Sequence, residues 1–404
     1  MLIAPAEALE AVLRTVVPLP PVDIELYEAL GCCLAQDVSA DRDQPSTDRS
    51  TMDGFAVRAE DTIDPAVTLH LSGEVAAGSP HRPTVRPGTC VATMTGATIA
   101  TGADAVVRIE DTIQNGQGVR VLAAVKPGAN IRRRGEDCRQ GDTVLTAGTR
   151  LWAAQVAMAA SVGRSDLKVH RRPQVAVVCT GEELRPVRSQ VLPHEIRNAN
   201  GPALHAALSR FGLDDTSSEI VPDTLDILTG RISAAAESHD VVLVTGGVSV
   251  GKYDLVPEAV SRVGADIIFH GVSMKPGKPV LYATLDGRRH IFGLPGNPLG
   301  VLAGFHELVL PGLRRLCGYP LEACTRHVLL PLAEPFRAAR GARTEYVLGH
   351  LRWTAGGSIV PIESNGSADI AAASRADGVF AIPPGTGDHR EGAIVEFTPW
   401  TALS

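Results

Sequence analysis

Short, continuous apolar runs alternate with segments of helical periodicity through the middle of the chain. The clearest run is Val-Val-Leu-Val at 241–244, which contains no polar residue. Such a run is typical of a strand buried on both faces, as in a parallel sheet that helices cover. The pattern between about residues 173 and 318 therefore predicts a three-layer α/β domain around a parallel sheet. Its predicted strands and helices are 174–180, 201–211, 219–221, 225–237, 241–245, 255–263, 265–270, 279–283, 291–293 and 299–316.

The pattern changes on both sides of this block. Helical periodicity near the start is broken by Pro-Leu-Pro-Pro at 18–21, and a second helix is predicted at 22–34. Short strands separated by turn residues dominate two later stretches, which predicts two β-rich domains. The predicted domains are a discontinuous N-terminal domain of residues 1–41 and 138–172, a β insertion at 42–137, the α/β domain at 173–318 and a small C-terminal β-barrel at 319–404.

Composition narrows the functional classes. A chain of 404 residues exceeds the size at which one hydrophobic core keeps growing, so several domains are expected. Its net charge of −7 argues against a non-specific nucleic-acid surface. No run of 18 apolar residues and no basic, apolar leader is present, which predicts a cytoplasmic protein without a membrane span. The seven cysteines form no C-x-x-C pair, which argues against a disulfide framework and a zinc site.

A glycine-rich segment follows the clearest apolar run. It reads Thr-Gly-Gly-Val-Ser-Val-Gly-Lys-Tyr-Asp at 245–254. Glycines at a strand end let backbone N–H groups approach a phosphate, since no Cβ intervenes. The spacing matches neither G-x-G-x-x-G nor the P-loop, so a ligand-free turn remains the alternative. The candidate phosphate-binding residues of this segment are Thr245, Gly246, Gly247, Ser249 and Gly251.

Two further turns follow apolar runs in the same block. Lys275 and Lys278 flank a Pro-Gly pair, so both ammonium groups can face one anion, although two solvated lysines are the simpler interpretation. Pro295, Gly296 and Pro298 belong to a third rigid turn before the last predicted helix. We therefore expect three turns at the ends of three strands of one sheet.

These three segments, Thr-Gly-Gly-Val-Ser-Val-Gly-Lys-Tyr-Asp, Lys-Pro-Gly-Lys-Pro and Gly-Leu-Pro-Gly-Asn-Pro, closely resemble those of molybdopterin molybdenumtransferases, the MoeA and gephyrin E-domain family. The resemblance covers essentially the whole chain, with further similar segments at 50–56, 94–97, 102–107, 130–137 and 180–184. It implies an enzyme that inserts molybdenum from molybdate into adenylylated molybdopterin, releases AMP and yields molybdenum cofactor. It also implies the interrupted domain plan described above.

The resemblance assigns roles to individual residues. Lys275 and Lys278 would bind molybdate, and Asp254 would act near the phosphoanhydride. The catalytic candidates are Asp254, Glu183, Asp53, Lys275 and Lys278. The substrate-binding candidates outside the glycine-rich segment are Thr180, Gly181, Pro295, Gly296, Pro298, Thr95 and Asp137. The candidate magnesium ligands are Asp254, Glu183 and Asp223, of which only one or two are needed because Mg²⁺ keeps several waters.

Three of the acids also have a purely structural interpretation. Asp254 could cap its loop, Asp53 could support a turn before Gly54, and Asp223 could be the N-cap of the helix predicted at 225–237. The arginine run at 132–134 either clamps an anion or forms a solvated face. Asn198 stands where relatives often have aspartate, which leaves its role open.

The resemblance further implies a homodimer with a cleft shared between subunits, in which Asp53, Thr95 and Asp137 act in trans. It makes the molybdopterin adenylyltransferase and cofactor acceptor proteins candidate partners. Two other functions stay open. Adenylyltransferases share the Thr-Gly-Gly segment, but the β insertion and barrel disfavour that class. A scaffold built on this domain would not need Asp254, Lys275 and Lys278 together.

Overall fold

The computed structural model describes residues 2–64, 67–248, 254–338, 341–353 and 356–400. Its residues form two compact units. The first comprises Met1–Ala35, Gly148–Trp152 and Leu167–Ser404, and the second comprises Gln36–Ala147 and Ala153–Asp166. The four predicted domains divide the chain differently, because the predicted domain of residues 1–41 and 138–172 lies partly in each unit. Their boundaries stay a prediction.

A six-stranded sheet forms the centre of the first unit. Its strands lie in the order Thr216–Val221, Val175–Thr180, Val241–Thr245, Arg289–Leu294, Leu281–Leu285 and Asp266–His270. The first four are mutually parallel, but Leu281–Leu285 is antiparallel to both of its neighbours. The predicted parallel sheet is therefore mixed, because strand Leu281–Leu285 runs in the opposite direction. Asp286 and Gly287, with φ of 55° and 62°, form a tight hairpin turn that returns the chain directly into the adjacent strand.

Helices cover both faces of the central sheet. Leu204 and Leu208 of one helix pack with alternate strand residues on one face, while Leu228 and Ile232 pack on the other. Strand Val241–Thr245 is buried along its whole length, as its apolar run predicts. The three-layer architecture is confirmed. The helices are Asn200–Arg210, Leu225–Ser238, Val256–Arg262 and a continuous helical stretch composed of Pro298–Gly304, the π-helical Phe305–Val309 and Leu310–Leu316.

The start of the chain contains one helix rather than two. Helix Pro5–Thr15 is present, but the helix predicted at 22–34 is instead strand Pro21–Glu25 followed by the 3₁₀ turn Leu26–Glu28. Consecutive prolines favour extended backbone, and the strand alternates half-buried with exposed residues. It pairs with strand Asp166–His170, so a long-range partner outweighs the weak helical periodicity.

The second unit contains another six-stranded sheet. In spatial order its strands are Ala105–Arg108, Gly54–Val57, Thr89–Thr93, Thr68–Val75, Gly118–Val121 and Thr112–Asn115. The predicted β-rich character of this stretch is confirmed. The unit also contains strand pairs Arg49–Ser50 with Ile131–Arg132 and Val38–Ser39 with Thr143–Leu145, the 3₁₀ turns Ala59–Thr62 and Ile109–Asp111, and helix Ala153–Ser161.

The C-terminal part of the first unit is a small barrel. A bridge between Leu332 and Ile359 joins the two ends of its strand order, which closes the sheet. Met274–Lys275 adds to this sheet by pairing in parallel with the start of Thr344–Arg352. In spatial order the barrel strands are Ser358–Pro361, Thr344–Arg352, Gly378–Ile382, Ile394–Pro399 and Val328–Pro331. The remaining elements are helices Leu321–Cys324 and Ile370–Ala373 and the strand pair Leu184–Arg185 with Ile196–Arg197. No helix in the described part of the chain could span a bilayer.

A buried acid lies where the long helical stretch meets the barrel. Glu307 is 8% exposed and belongs to the π-helical segment Phe305–Val309. Pro311 explains this segment, because it donates no backbone hydrogen bond and its ring crowds the Glu307 carbonyl four residues earlier. Burial raises the pKa of Glu307 from 4.5 to about 7, against hydrogen bonds with Thr398 and Tyr346 that lower it.

We predict that Glu307→Gln reduces the loss of folding stability that the protein undergoes as pH rises from 5 to 8. A carboxyl whose pKa is raised on folding stabilises the fold while it is protonated, and this contribution falls as pH rises from about 4.5 to about 7. Thermal unfolding of both proteins at pH 5 and pH 8 measures it. The stability of the variant relative to the wild type should rise at pH 8 and change little at pH 5. His306, with a pKa lowered by burial, cancels in this comparison because both proteins contain it. Equal differences at the two pH values would contradict the assignment.

Candidate functional site

A cleft of about 750 Å³ lies in the first unit, between the central sheet and the barrel. One wall is formed by the turns that follow Val241–Thr245, Asp266–His270 and Arg289–Leu294. Because these strands run in one direction, their carboxyl ends meet at one edge of the sheet, where α/β proteins bind ligands. The expectation that three turns end three strands of one sheet is confirmed. The opposite wall consists of barrel residues, among them Arg343, Glu345, Tyr346, Ser364 and Ser367.

The first turn depends on glycine at position 246. Gly246 has a φ of +92°, and a Cβ there would lie 2.1 Å from the carbonyl oxygen of Thr180. Its N–H donates to the carbonyl of Leu294 at 3.1 Å, which ties the turn to the neighbouring strand end. Gly247, with φ of +58°, lines the cleft. The turn can therefore bring backbone close to a ligand in a way that other residues cannot.

Other predicted members of this turn are placed differently. Thr245 is 1% exposed, so its side chain is buried in the sheet. Thr180 is buried as well, and Gly181 directly follows its strand. Neither threonine hydroxyl is exposed to the cleft in this structure. Ser249 and Gly251 lie outside the described residues.

The second turn brings both predicted lysines to the cleft. Lys275 Nζ forms an ion pair with Glu345 Oε1 at 2.9 Å, and the two residues are also register partners in the paired strands. Lys278 is exposed and forms no ion pair with any residue that the structure describes. Its carbonyl accepts from the N–H of Val272 at 2.8 Å, which closes residues 272–278 as a hairpin. We call this segment, which contains both lysines, the lysine loop. One lysine is thus partly neutralised and the other is available to an anion.

The third turn connects the two walls. Pro295 and Gly296 line the cleft, whereas Pro298 occupies the first turn of the following helix, where its missing N–H is not needed. Asn297 Nδ2 donates to Ser367 Oγ at 2.7 Å across the cleft. The turn therefore holds the barrel loop against the sheet edge.

The predicted acids are not equivalent. Asp254 is half-buried and lines the cleft. Asp223 accepts a hydrogen bond from the Thr180 hydroxyl, while the helix after it begins at an N-cap Thr224 without a side-chain cap. Glu183 is exposed and does not line the cleft. Within the described ranges no three histidine, cysteine or acidic side chains are grouped to hold a metal ion.

Asn198 has a structural contact. Its Oδ1 accepts from the N–H of Gly201 at 3.0 Å at the start of the helix that begins at Asn200. This buried amide satisfies one of the helix's free N–H groups, as an N-cap residue does.

The sequence interpretation missed the barrel wall. Two arginines, Arg337 and Arg343, and two serines, Ser364 and Ser367, line the cleft from the barrel side. Arg343 also donates to the Met274 carbonyl at 3.2 Å, beside the lysine loop. A signal was available in Arg-Thr-Glu at 343–345, where opposite charges lie at the start of strand Thr344–Arg352. Only the closing of the barrel strand against Met274–Lys275 shows that these charges meet the lysines.

The second unit has its own cavity, of about 630 Å³. Thr95 and Asp137 both line it. Asp53 Oδ1 accepts from the N–H of Thr95 at 2.6 Å and from its hydroxyl at 2.8 Å, and these bonds lower the pKa of Asp53. Three predicted residues of the β insertion are therefore close to one cavity.

The arginine run beside this cavity is engaged by carboxylates. Arg132 pairs with Asp137, Arg133 with Asp48 at 2.7 Å and Arg134 with Asp43 at 2.6 Å. Each of the three arginines already has an acidic partner within the unit. Of the three, Arg132 lines the cavity, so it alone of them faces a prospective anion there.

Family models match three parts of the chain. One described as the MoeA N-terminal region (domain I and II) matches residues 3–163, one described as a probable molybdopterin binding domain matches 176–315, and one described as the MoeA C-terminal region (domain IV) matches 330–400. A molybdopterin molybdenumtransferase of Staphylococcus epidermidis is 34% identical over 396 residues, which cover 96% of this chain and 94% of that protein. The chain belongs to the molybdopterin molybdenumtransferase family. The family predicted from the sequence, and its enzyme class, are confirmed.

Other members agree in sequence and in structure. A molybdopterin molybdenumtransferase of Staphylococcus aureus is 33% identical over 395 residues, covering 96% of this chain and 94% of its own. The crystal structure of a molybdopterin biosynthesis moeA protein from Pyrococcus horikoshii OT3 superposes with a TM-score of 0.85 at 28% identity, over 99% of this chain and 100% of that one. The predicted multidomain α/β and β architecture is therefore confirmed for this chain, and that structure shares it.

We predict that Gly246→Ala strongly destabilises the protein. The new Cβ would collide with the Thr180 carbonyl and occupy a backbone conformation unfavourable to alanine, at a combined cost of about 2–4 kcal/mol. Thermal unfolding should show a lower transition for this variant. Gly230→Ala is the matched control, because Gly230 lies in helix Leu225–Ser238 and a Cβ added there would have no atom within 4 Å. That variant should be as stable as the wild type or more so. Equal stability of the two variants would contradict the role of Gly246.

Proposed function

We propose that this chain inserts molybdenum from molybdate into adenylylated molybdopterin, with release of AMP, to give molybdenum cofactor. The observation that carries the proposal is that the glycine-rich turn, both predicted lysines and Arg343 line one cleft. Family membership supports the same reaction.

The cationic side chains suit a tetrahedral oxyanion. Lys275 and Lys278 approach from the sheet wall and Arg343 from the barrel wall. Compact ammonium groups bind a dianion without demanding one orientation, whereas the planar guanidinium donates two directed hydrogen bonds. Molybdate is the substrate that we assign to this group, and these side chains would balance its charge. Two Mo–S bonds to the pterin would then form as one Mo–O bond breaks, with the displaced oxygen and the two thiol protons leaving as water.

The phosphate-bearing part of the substrate would lie against the glycine-rich turn. Gly246 and Gly247 carry no Cβ, so backbone N–H groups of the turn can approach a phosphate closely. Cleavage of the phosphoanhydride adds water and separates AMP from the pterin phosphate. The turn would hold the pterin phosphate in place while that bond breaks.

The donor set fits magnesium of the kind that substrate phosphates help to bind. Mg²⁺ commonly takes one or two carboxylates plus waters and phosphate oxygens, so Asp254 with the substrate suffices without a cage of protein ligands. Bound magnesium would neutralise charge on the anhydride. Asp254 is our first choice of ligand, ahead of Glu183, with Asp223 last because Thr180 already donates to it.

One assay separates the proposal from its alternatives. Purified protein with adenylylated molybdopterin, magnesium and molybdate should release AMP and form cofactor that activates a molybdenum-free apoenzyme. Consumption of ATP with free molybdopterin would identify an adenylyltransferase, and inertness in both assays would favour a scaffold. The cytoplasmic location, the homodimer with a shared cleft and the two protein partners stay predictions.

We predict that Lys278→Ala raises the KM for molybdate by about tenfold or more, since a hydrogen bond to a charged group contributes roughly 1.5–3 kcal/mol. AMP release at varied molybdate concentration gives this value. Lys168→Ala is the control, because Lys168 pairs with Asp23 and does not line the cleft. Its KM should stay within about twofold of the wild type. An unchanged KM for Lys278→Ala would remove this lysine from the oxyanion site.

We predict that Asp254→Asn lowers the kcat of AMP release at least tenfold and raises the magnesium concentration needed for half-maximal rate. The amide keeps the size of the side chain but loses the charge that attracts a divalent cation. Glu183→Gln and Asp223→Asn provide the same change at the other two candidates. The largest shift in magnesium dependence identifies the ligand, and a normal rate in Asp254→Asn would exclude our first choice.

A further inference from the structure

Glu345 contacts the ammonium group of Lys275 inside the cleft. Its Oε1 lies 2.9 Å from Lys275 Nζ, and both residues line the cleft. The neighbouring Lys278 faces the same cleft without an ion-pair partner among the described residues. The two lysines of one loop are therefore in different electrostatic states.

The backbone holds the acid in place. Lys275 and Glu345 are directly opposed in the parallel pairing of Met274–Lys275 with Thr344–Arg352. The side chain of Glu345 is 18% exposed, whereas that of Lys275 is 53% exposed. The lysine is the longer and more exposed partner, so it can rotate toward an arriving ligand without any shift of the strands.

A carboxylate and a tetrahedral oxyanion compete for the same ammonium group. Both present negatively charged oxygen atoms, so an ammonium group already paired with one anion attracts the other less strongly. An ion pair that is partly exposed contributes little to stability, so a dianion that also contacts Lys278 and Arg343 can replace it. The free-energy cost of replacing Glu345 is the same whichever anion enters.

We propose that Glu345 is an internal counter-anion of Lys275 that an incoming tetrahedral dianion displaces, and that it thereby sets the oxyanion affinity of the cleft. The inference rests on the proposed binding of molybdate at the lysine loop. It gives Glu345 a role in substrate affinity and leaves bond cleavage to other residues.

The test measures oxyanion binding without pterin. Equilibrium dialysis of the full chain with molybdate, and separately with sulfate, gives the Kd of wild type and Glu345→Gln. The amide keeps the size of the side chain and removes its charge. We expect Glu345→Gln to bind both dianions about fivefold more tightly, by a similar factor for each, since exposed ion pairs of this kind shift equilibria by up to that amount.

Glu363→Gln is the matched control. Glu363 lines the same cleft and forms no ion pair with a described residue, so its removal changes the net charge equally without releasing Lys275. Its Kd should change less than twofold. An equal gain in affinity in both variants would show that the effect comes from net charge alone, and this would overturn the proposal. Weaker binding by Glu345→Gln would also overturn it, because it would make Glu345 a support for Lys275.

The same data distinguish failure of the inference from failure of the proposed function. Absence of oxyanion binding in the wild type and in both variants would refute the molybdate site itself. Binding in the wild type that Glu345→Gln leaves unchanged would refute only the displacement. Thermal unfolding of each variant confirms that the compared proteins are folded.

Discussion

The short parallel pairing of Met274–Lys275 with the start of Thr344–Arg352 is the interaction on which the cleft depends. It joins a loop of the α/β part to a strand of the barrel by backbone hydrogen bonds. Thr344 N–H donates to the Ser273 carbonyl at 3.0 Å, and the Arg343 side chain donates to Met274. This pairing brings charged residues of two segments far apart in sequence, Lys275 and Glu345 among them, to one cleft.

The sequence was most informative where local chemistry decides the structure. A strand such as 241–244 is stable only if both of its faces are covered. The glycine after it is required because a Cβ at position 246 would collide with the Thr180 carbonyl oxygen. Lys275 and Lys278 follow a predicted strand whose carboxyl end lies at the cleft, but the resemblance to the family was needed to favour an anion site over two solvated lysines. The buried strand and its glycine turn need only the neighbouring residues and the geometry of a sheet.

Long-range pairing limited the same reasoning. Local periodicity predicted a helix over residues 22–34. The segment Pro21–Glu25 is instead a strand, because it pairs with Asp166–His170, which lies more than a hundred residues later and could not be read from the local pattern. The reversed direction of strand Leu281–Leu285 depends on a tight turn at Asp286 and Gly287. The pattern of apolar residues does not indicate strand direction, so it did not predict this turn. Arg343 and Ser367 escaped notice for a related reason, since nothing beside them in the sequence shows which wall they face.

The hydrogen bond between Asn297 and Ser367 makes a second junction between sheet edge and barrel, reinforced by the N–H of Leu299, which donates to the Ser367 carbonyl at 3.1 Å. With the pairing at Lys275 it defines two fixed points along the cleft. Sliding one wall past the other would break both junctions, so the two walls are held in register along the length of the cleft. The charged groups of the two walls therefore keep a fixed spacing, and a ligand meets a cleft that is already assembled.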